Sequence, residues 1–173
     1  MISALTYLAR PADPDAIEQL ADTLGALVAG VAAGLVGDAV IVSAQAHEAV
    51  ERIADGTGAA LVVRPRGGNP WQAGAKLARR EWVLCLEAGD VPVEGWIRIL
   101  DRFVNTARPD VMLGRLRRPH AGLPSRLAAR GEGVIGVSEA RAGDLVRRER
   151  LAAAPGFSPR LRPRPLTARL ERA

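Results

Sequence analysis

Short apolar runs alternate with helix-like segments from residue 2 to residue 116, and this alternation restricts the fold more than any other feature. ISALTYLA (2–9), DAVIVSA (38–44), AALVVRP (59–65), WVLCLEA (82–88) and DVMLGRL (110–116) read as strands. DAVIVSA is apolar almost throughout, which predicts burial on both faces. After the first strand, Asp13 is a suitable helix cap, and Pro14 occupies the first helical position, where its missing N–H costs nothing. Ile17, Leu20, Leu24 and Leu27 then recur at helical spacing and predict one buried stripe, with Gly30, Gly34 and Gly37 loosening its end. HEAVERIADGTG reads as a short helix closed by Gly56 or Gly58. Asn69 and Pro70 repeat the capping logic before another helix, and Trp96, Ile99, Leu100 and Phe103 define the inner face of a fourth. Strands and helices in this order predict an α/β domain with a mostly parallel sheet flanked by helices. Ligands of such sheets bind at the carboxyl ends of the strands.

Composition removes several alternatives. Apolar residues make up 48% and charged residues 25% of 173, enough for one domain with a core. Cys85 is the only cysteine, which excludes an intrachain disulfide and a thiolate metal cluster and fits a reducing, cytoplasmic setting. No signal-peptide pattern opens the chain, and the apolar stretch from Ala26 to Gly37 is too short to span a bilayer. Charge is uneven: residues 1–114 carry 10 basic and 14 acidic side chains, residues 115–173 carry 14 and 5. The basic part suits phosphate, nucleic acid or an anionic membrane surface, or is a solvated arginine-rich face. Phe157 is its only aromatic, which argues against stacking on nucleic acid. The tail SPRLRPRPLTARLERA (158–173) reads as irregular, with Leu166 and Leu170 forming at most one amphipathic turn.

Chemistry concentrates where apolar runs end. Glu87 and Asp90 follow the fourth strand and have the ligand chemistry for Mg²⁺ or Mn²⁺; the alternative is a solvated turn with Asp90 capping the next helix. The GGN at 67–69 opens a helix and offers backbone N–H groups to a phosphate, or is a plain capping turn. Arg147 and Arg148 suit a diphosphate or form a solvated pair. His47 and His120 lack a metal-ligand pattern, Cys85 reads as a buried inert thiol, and Ser125 and Ser138 lack a nucleophile-elbow context.

The ordered segments TLGALVAGVAAGLVGDAVIVSA, RPRGGNPWQAGAKLARREWVLCLEAGDVPVEGW and AGDLVRRERLAAAPGF resemble small bacterial family-2 glycosyltransferases of the GT-A fold. The resemblance implies a Rossmann-like domain over residues 1–157, with a nucleotide-binding half (1–117), an acceptor-side segment (118–157) and a Pro/Arg-rich tail (158–173). It implies nucleotide contacts near Glu48, Arg64, Gly67 and Arg147, and a divalent cation at Glu87 and Asp90. Three departures bear on activity. The loop Ser43-Ala44-Gln45-Ala46-His47-Glu48 keeps one acid, Gly89 stands where the family has its second metal-motif acid, and Leu161-Arg162-Pro163-Arg164-Pro165 carries no acceptor base. Glu139 and Asp144 are candidates to stand in as base, with nothing in the sequence to place them. Three functions follow: sugar transfer from a nucleotide-sugar donor; a catalytically inactive GT-A domain that binds a nucleotide or a protein partner; or an anion-binding module built on residues 115–173.

Overall fold

The computed structural model describes residues 1–118, 136–153 and 156–173; His120 and Ser125 lie outside the described residues. Chain order is β1 (Ile2–Leu8), α1 (Pro14–Ala32), β2 (Val36–Ser43), α2 (Glu48–Thr57), β3 (Ala60–Val63), α3 (Pro70–Ala75), β4 (Trp82–Glu87), β5 (Asp90–Pro92), α4 (Trp96–Thr106), β6 (Leu113–Arg117), β7 (Asp144–Arg147), α5 (Arg148–Ala153) and β8 (Arg164–Arg172). The strands form one sheet in the order β3-β2-β1-β4-β7-β6-β8-β5. β1 pairs in parallel with β2 and β4, β2 with β3, and β6 with β8. β7 runs antiparallel to β4 and β6, and β5 antiparallel to β8. The sheet is therefore mostly parallel and flanked by helices, as the alternation of segments predicts.

Local chemistry explains the helix starts. The Asp13 side chain accepts from the Asp15 N–H at 3.1 Å, and Asn69 accepts from the N–H groups of Trp71 and Gln72. Gly58 ends α2 in the left-handed conformation. Half-exposed His47 caps α2, its Nδ1 accepting the Ala49 N–H. The buried stripe of α1 is Ala16, Leu20, Thr23, Leu27 and Gly30. Gly30 does not loosen the helix. A Cβ there would stand 2.5 Å from the Trp96 ring, so the glycine admits α4 to the core.

The sheet is covered on both faces. On one, Leu84, Leu86 and Leu145 pack with Leu27 of α1 and with Trp96, Leu100 and Phe103 of α4. On the other, Leu5, Val83 and Cys85 pack with Trp71 of α3 and Leu151 of α5. Leu84, Leu86, Leu100 and Leu145 are fully buried, and each such side chain contributes about 1.5–3 kcal/mol of transfer free energy. Among the described residues no helix is long and apolar enough to cross a membrane.

The tail differs from its reading. Residues 164–172 form β8, and Leu166, Ala168 and Leu170 are buried at period two rather than on a helical turn. Pro165 is tolerated because β5 pairs with residues 170–172, and among the described residues no strand pairs with residue 165 on that side.

Candidate functional site

Parallel pairing brings the carboxyl ends of β1, β2, β3 and β4 to one edge. Tyr7 lies in register with Val42 on β2 and Glu87 on β4, and Ser43 with Val63. A cleft of about 180 Å³ opens at this edge, lined by residues 7–10 at the end of β1, Ala16 and Gln19 of α1, Glu87, Ala88 and Arg172.

The turn after β4 is built tightly. The Ala88 N–H donates to the Tyr7 carbonyl at 2.9 Å, tying the turn to β1. The Gly89 N–H lies 2.8 Å from Thr23 Oγ1 and 3.0 Å from the Gln19 carbonyl, which anchors the turn to α1. Gly89 takes φ +93°, a conformation that L side chains rarely adopt. Asp90, 1% exposed, folds back so that its Oδ2 accepts the Glu87 N–H at 2.8 Å. It does not cap the next helix: Gly95 is the N-cap residue of α4, with no side-chain cap bond.

Glu87 and Asp90 share this turn, and two arginines missed at the sequence level join them. Arg118 Nη2 donates to Asp90 Oδ1 at 2.5 Å and lies 3.5 Å from Glu87 Oε2. Arg172 Nη1 lies 3.8 Å from each carboxylate. The only advance signal for these arginines was the positive surplus of residues 115–173. As a cation site the donor set does not fit. Both Asp90 oxygens are engaged, guanidinium groups already face Glu87, and among the described residues no three His, Cys, Asp or Glu side chains come together.

The other expected site residues disperse. Glu48 starts α2 with its side chain 81% exposed and pairs with Arg52 at 3.4 Å; it does not line the cleft. Arg64 stacks on the Tyr7 ring at 5.4 Å and donates to the Gly68 carbonyl, while its buried Nε has no hydrogen-bond partner among the described residues. Gly67 sits at φ +69° in an exposed turn that leads to the Asn69 cap. Arg147 lies at the opposite end of the sheet. It is in register with Trp82, the first residue of β4, stacks on that ring at 4.7 Å and pairs with Glu81. By strand rise it is about 16 Å from the Glu87 position, so the structure does not bring it to the carboxyl edge of the sheet.

Of the two substitute bases, Asp144 is committed to other groups. Asp144 is fully buried and bound bidentately by Arg115, with Nε–Oδ1 at 2.6 Å and Nη2–Oδ2 at 2.9 Å; it also accepts the Arg141 N–H. Burial raises its carboxyl above the ordinary value, against the lowering effect of Arg115 and Arg141. Glu139 is exposed. Cys85 is buried, and burial, with the Asp144 charge, pushes its thiol well up, as an inert thiol requires.

No family model matches the sequence, and no curated protein matches it. Solved structures do. Glucosyl-3-phosphoglycerate synthase from Mycobacterium tuberculosis, in complex with Mn²⁺, UDP and glucosyl-3-phosphoglycerate, aligns with TM-score 0.62 at 14% identity, covering 100% of this chain and 72% of that one. The same enzyme with Mg²⁺ and UDP gives 0.61 at 18% identity, covering 100% and 71%. Mannosyl-3-phosphoglycerate synthase from Rubrobacter xylanophilus gives 0.57 at 16% identity, covering 86% and 53%. The synthase with phosphoglyceric acid is covered over 57% of its length, so this chain spans little more than half of that enzyme. These likenesses show a GT-A glycosyltransferase fold.

Proposed function

We propose that this chain binds the diphosphate part of a nucleotide sugar at the carboxyl edge of its sheet, and that sugar transfer by it is slow or absent. The observation that carries the binding reading is the cleft itself. It lies at the ends of β1 and β4, where parallel α/β sheets take ligands, and Arg10 and Arg172 line it. Support comes from the fold, shared with enzymes solved in complex with UDP and Mn²⁺ or Mg²⁺. Its volume of about 180 Å³ is below the ~300–1,000 Å³ of drug-sized pockets, so it suits part of such a ligand. The slow-transfer reading rests on the carboxylates. Asp144 and Asp90 are committed to arginines, which leaves the half-exposed Glu87 without a second free acid beside it among the described residues.

Calorimetric titration with UDP and GDP tests binding; no heat with either nucleotide, from folded protein, sinks it. Release of sugar from UDP-glucose to an acceptor, at a rate cut by Glu87→Gln, would overturn the slow-transfer part.

A second reading has one observation in its favour. Arg117 and Arg169 are register neighbours on β6 and β8, both exposed, and neither has an acidic partner among the described residues. Like charges so placed cost stability unless an anion bridges them. This supports contact with an anionic membrane surface, tested by co-sedimentation with phosphatidylserine vesicles at low and high salt. Retention that ignores salt would rule it out.

A further inference from the structure

Four charged side chains from three parts of the chain meet at the turn between β4 and β5. Asp90 is the most constrained of them. A carboxylate 1% exposed needs a compensating charge, and Arg118 supplies it at 2.5 Å. Glu87 faces the same Arg118 at 3.5 Å, and Arg172 approaches both acids at 3.8 Å. Two carboxylates and two guanidinium groups cancel within one cluster. A divalent cation entering here would have to displace Arg118 from Asp90 and then sit beside two guanidinium charges.

The turn itself leaves room for this arrangement. A Cβ on Gly89 would stand 3.1 Å from Arg172 Nε and 3.2 Å from its Cζ. The space in front of residue 89 is thus filled by the guanidinium group. The two arginines also differ from each other. Arg118 makes a short charge-assisted hydrogen bond, whereas Arg172 makes ion pairs at 3.8 Å and no side-chain hydrogen bond among the described residues. Its N–H donors remain for another acceptor, and it lines the cleft together with Arg10 and Tyr7.

We infer that Arg118 and Arg172 take the place of a divalent cation at this turn, and that the cleft binds a phosphate-bearing anion through Arg172 without any metal. Arg118 stays with Asp90 as a structural counter-charge. Arg172 turns its planar fork toward the ligand, a geometry that matches two phosphate oxygens. The inference rests on the proposed nucleotide reading for the larger ligand, but it makes its own claim about how the charge is held.

The test is titration of the full chain with inorganic pyrophosphate and with UDP, each in EDTA and in Mn²⁺. Both ligands are expected to bind, with affinity unchanged by Mn²⁺. Arg172→Gln should weaken both by about tenfold or more, as loss of a charge-assisted hydrogen bond implies. Glu87→Gln should tighten both a few-fold, because it removes a negative charge beside Arg172; at a metal site the same change would abolish binding. Should Arg172→Gln fail to melt cooperatively, Arg172→Lys keeps the charge and loses the fork, and weaker binding to it is the expected result. Binding that needs Mn²⁺ and is lost in Glu87→Gln overturns the inference and leaves the nucleotide reading standing. Pyrophosphate binding without UDP binding does the reverse. Failure of both ligands to bind folded protein overturns both.

Discussion

Two arginine–carboxylate clusters in this molecule use the same functional groups to opposite ends. Arg115 and Asp144 join β6 to β7 in a closed pair: two short hydrogen bonds, a backbone N–H on the same carboxylate, and side chains 12% and 0% exposed. Arg118 and Arg172 meet Glu87 and Asp90 at the sheet edge over 2.5 to 3.8 Å, with Glu87 and Arg172 each 45% exposed. In the first cluster both carboxylate oxygens are bound by short hydrogen bonds and both side chains are buried, which closes it to a ligand. In the second, one arginine is locked and the other is loosely held beside a cleft. Geometry, more than composition, separates a structural ion pair from a binding site.

The largest effect should come from breaking the closed pair on one side. Asp144→Leu removes the buried carboxylate that Arg115 binds through two short hydrogen bonds and should cost about 3–5 kcal/mol in urea unfolding. Combining it with Arg115→Met should restore most of that stability, since an apolar pair of similar size can replace a buried ion pair. A double variant as unstable as the single one would mean that the pair does more than satisfy its own charges. At the edge, Arg118→Gln removes the short bond to Asp90 but leaves Arg172 nearby, so a smaller loss of about 1–3 kcal/mol is expected. An equal loss at both places would erase the distinction between them.

Acidity gives a third comparison. The folded carboxyl of Asp144 is raised above its ordinary value of 3.8, mainly by burial. The folded state therefore holds this proton at pH values where the unfolded chain has released it. The contribution of Asp144 to stability is fully present below the unfolded value and is lost as pH rises through the folded one. Urea midpoints measured across the acidic range should show wild type losing stability relative to Asp144→Asn over that window. A relative gain with rising pH would reverse the sign and indicate that Arg115 outweighs burial.

How much of this could be read in advance depends on how local each feature is. The Asp13–Pro14 and Asn69–Pro70 starts were legible because capping acts within one turn. Glu87 and Asp90 were legible as neighbours because they are three residues apart on one turn. Arg118 and Arg172 were not, because their meeting depends on the strand order β6-β8-β5, which no local pattern encodes. Arg147 was misplaced for the same reason. β7 runs antiparallel to β4, so its last residue lies beside the first residue of β4 and away from Glu87. The alternation of Leu166, Ala168 and Leu170 was present in the tail, but surrounding prolines and arginines masked a strand whose edge tolerates them.

The smallest expected change in stability carries the sharpest contrast. Arg172→Gln removes a half-exposed side chain whose ion pairs are 3.8 Å long, and such pairs contribute about 0–1 kcal/mol. Asp90 keeps Arg118, so no buried charge is orphaned. The melting curve should barely move while anion binding falls, whereas Arg118→Gln should move the melt first. If Arg172→Gln destabilises the fold as much as Arg118→Gln, both arginines are structural and the edge cluster is a second closed pair in looser form. If the melt is unchanged and binding is lost, the open cluster has kept stability and recognition on separate arginines, and the charge that faces the cleft is free to follow the ligand.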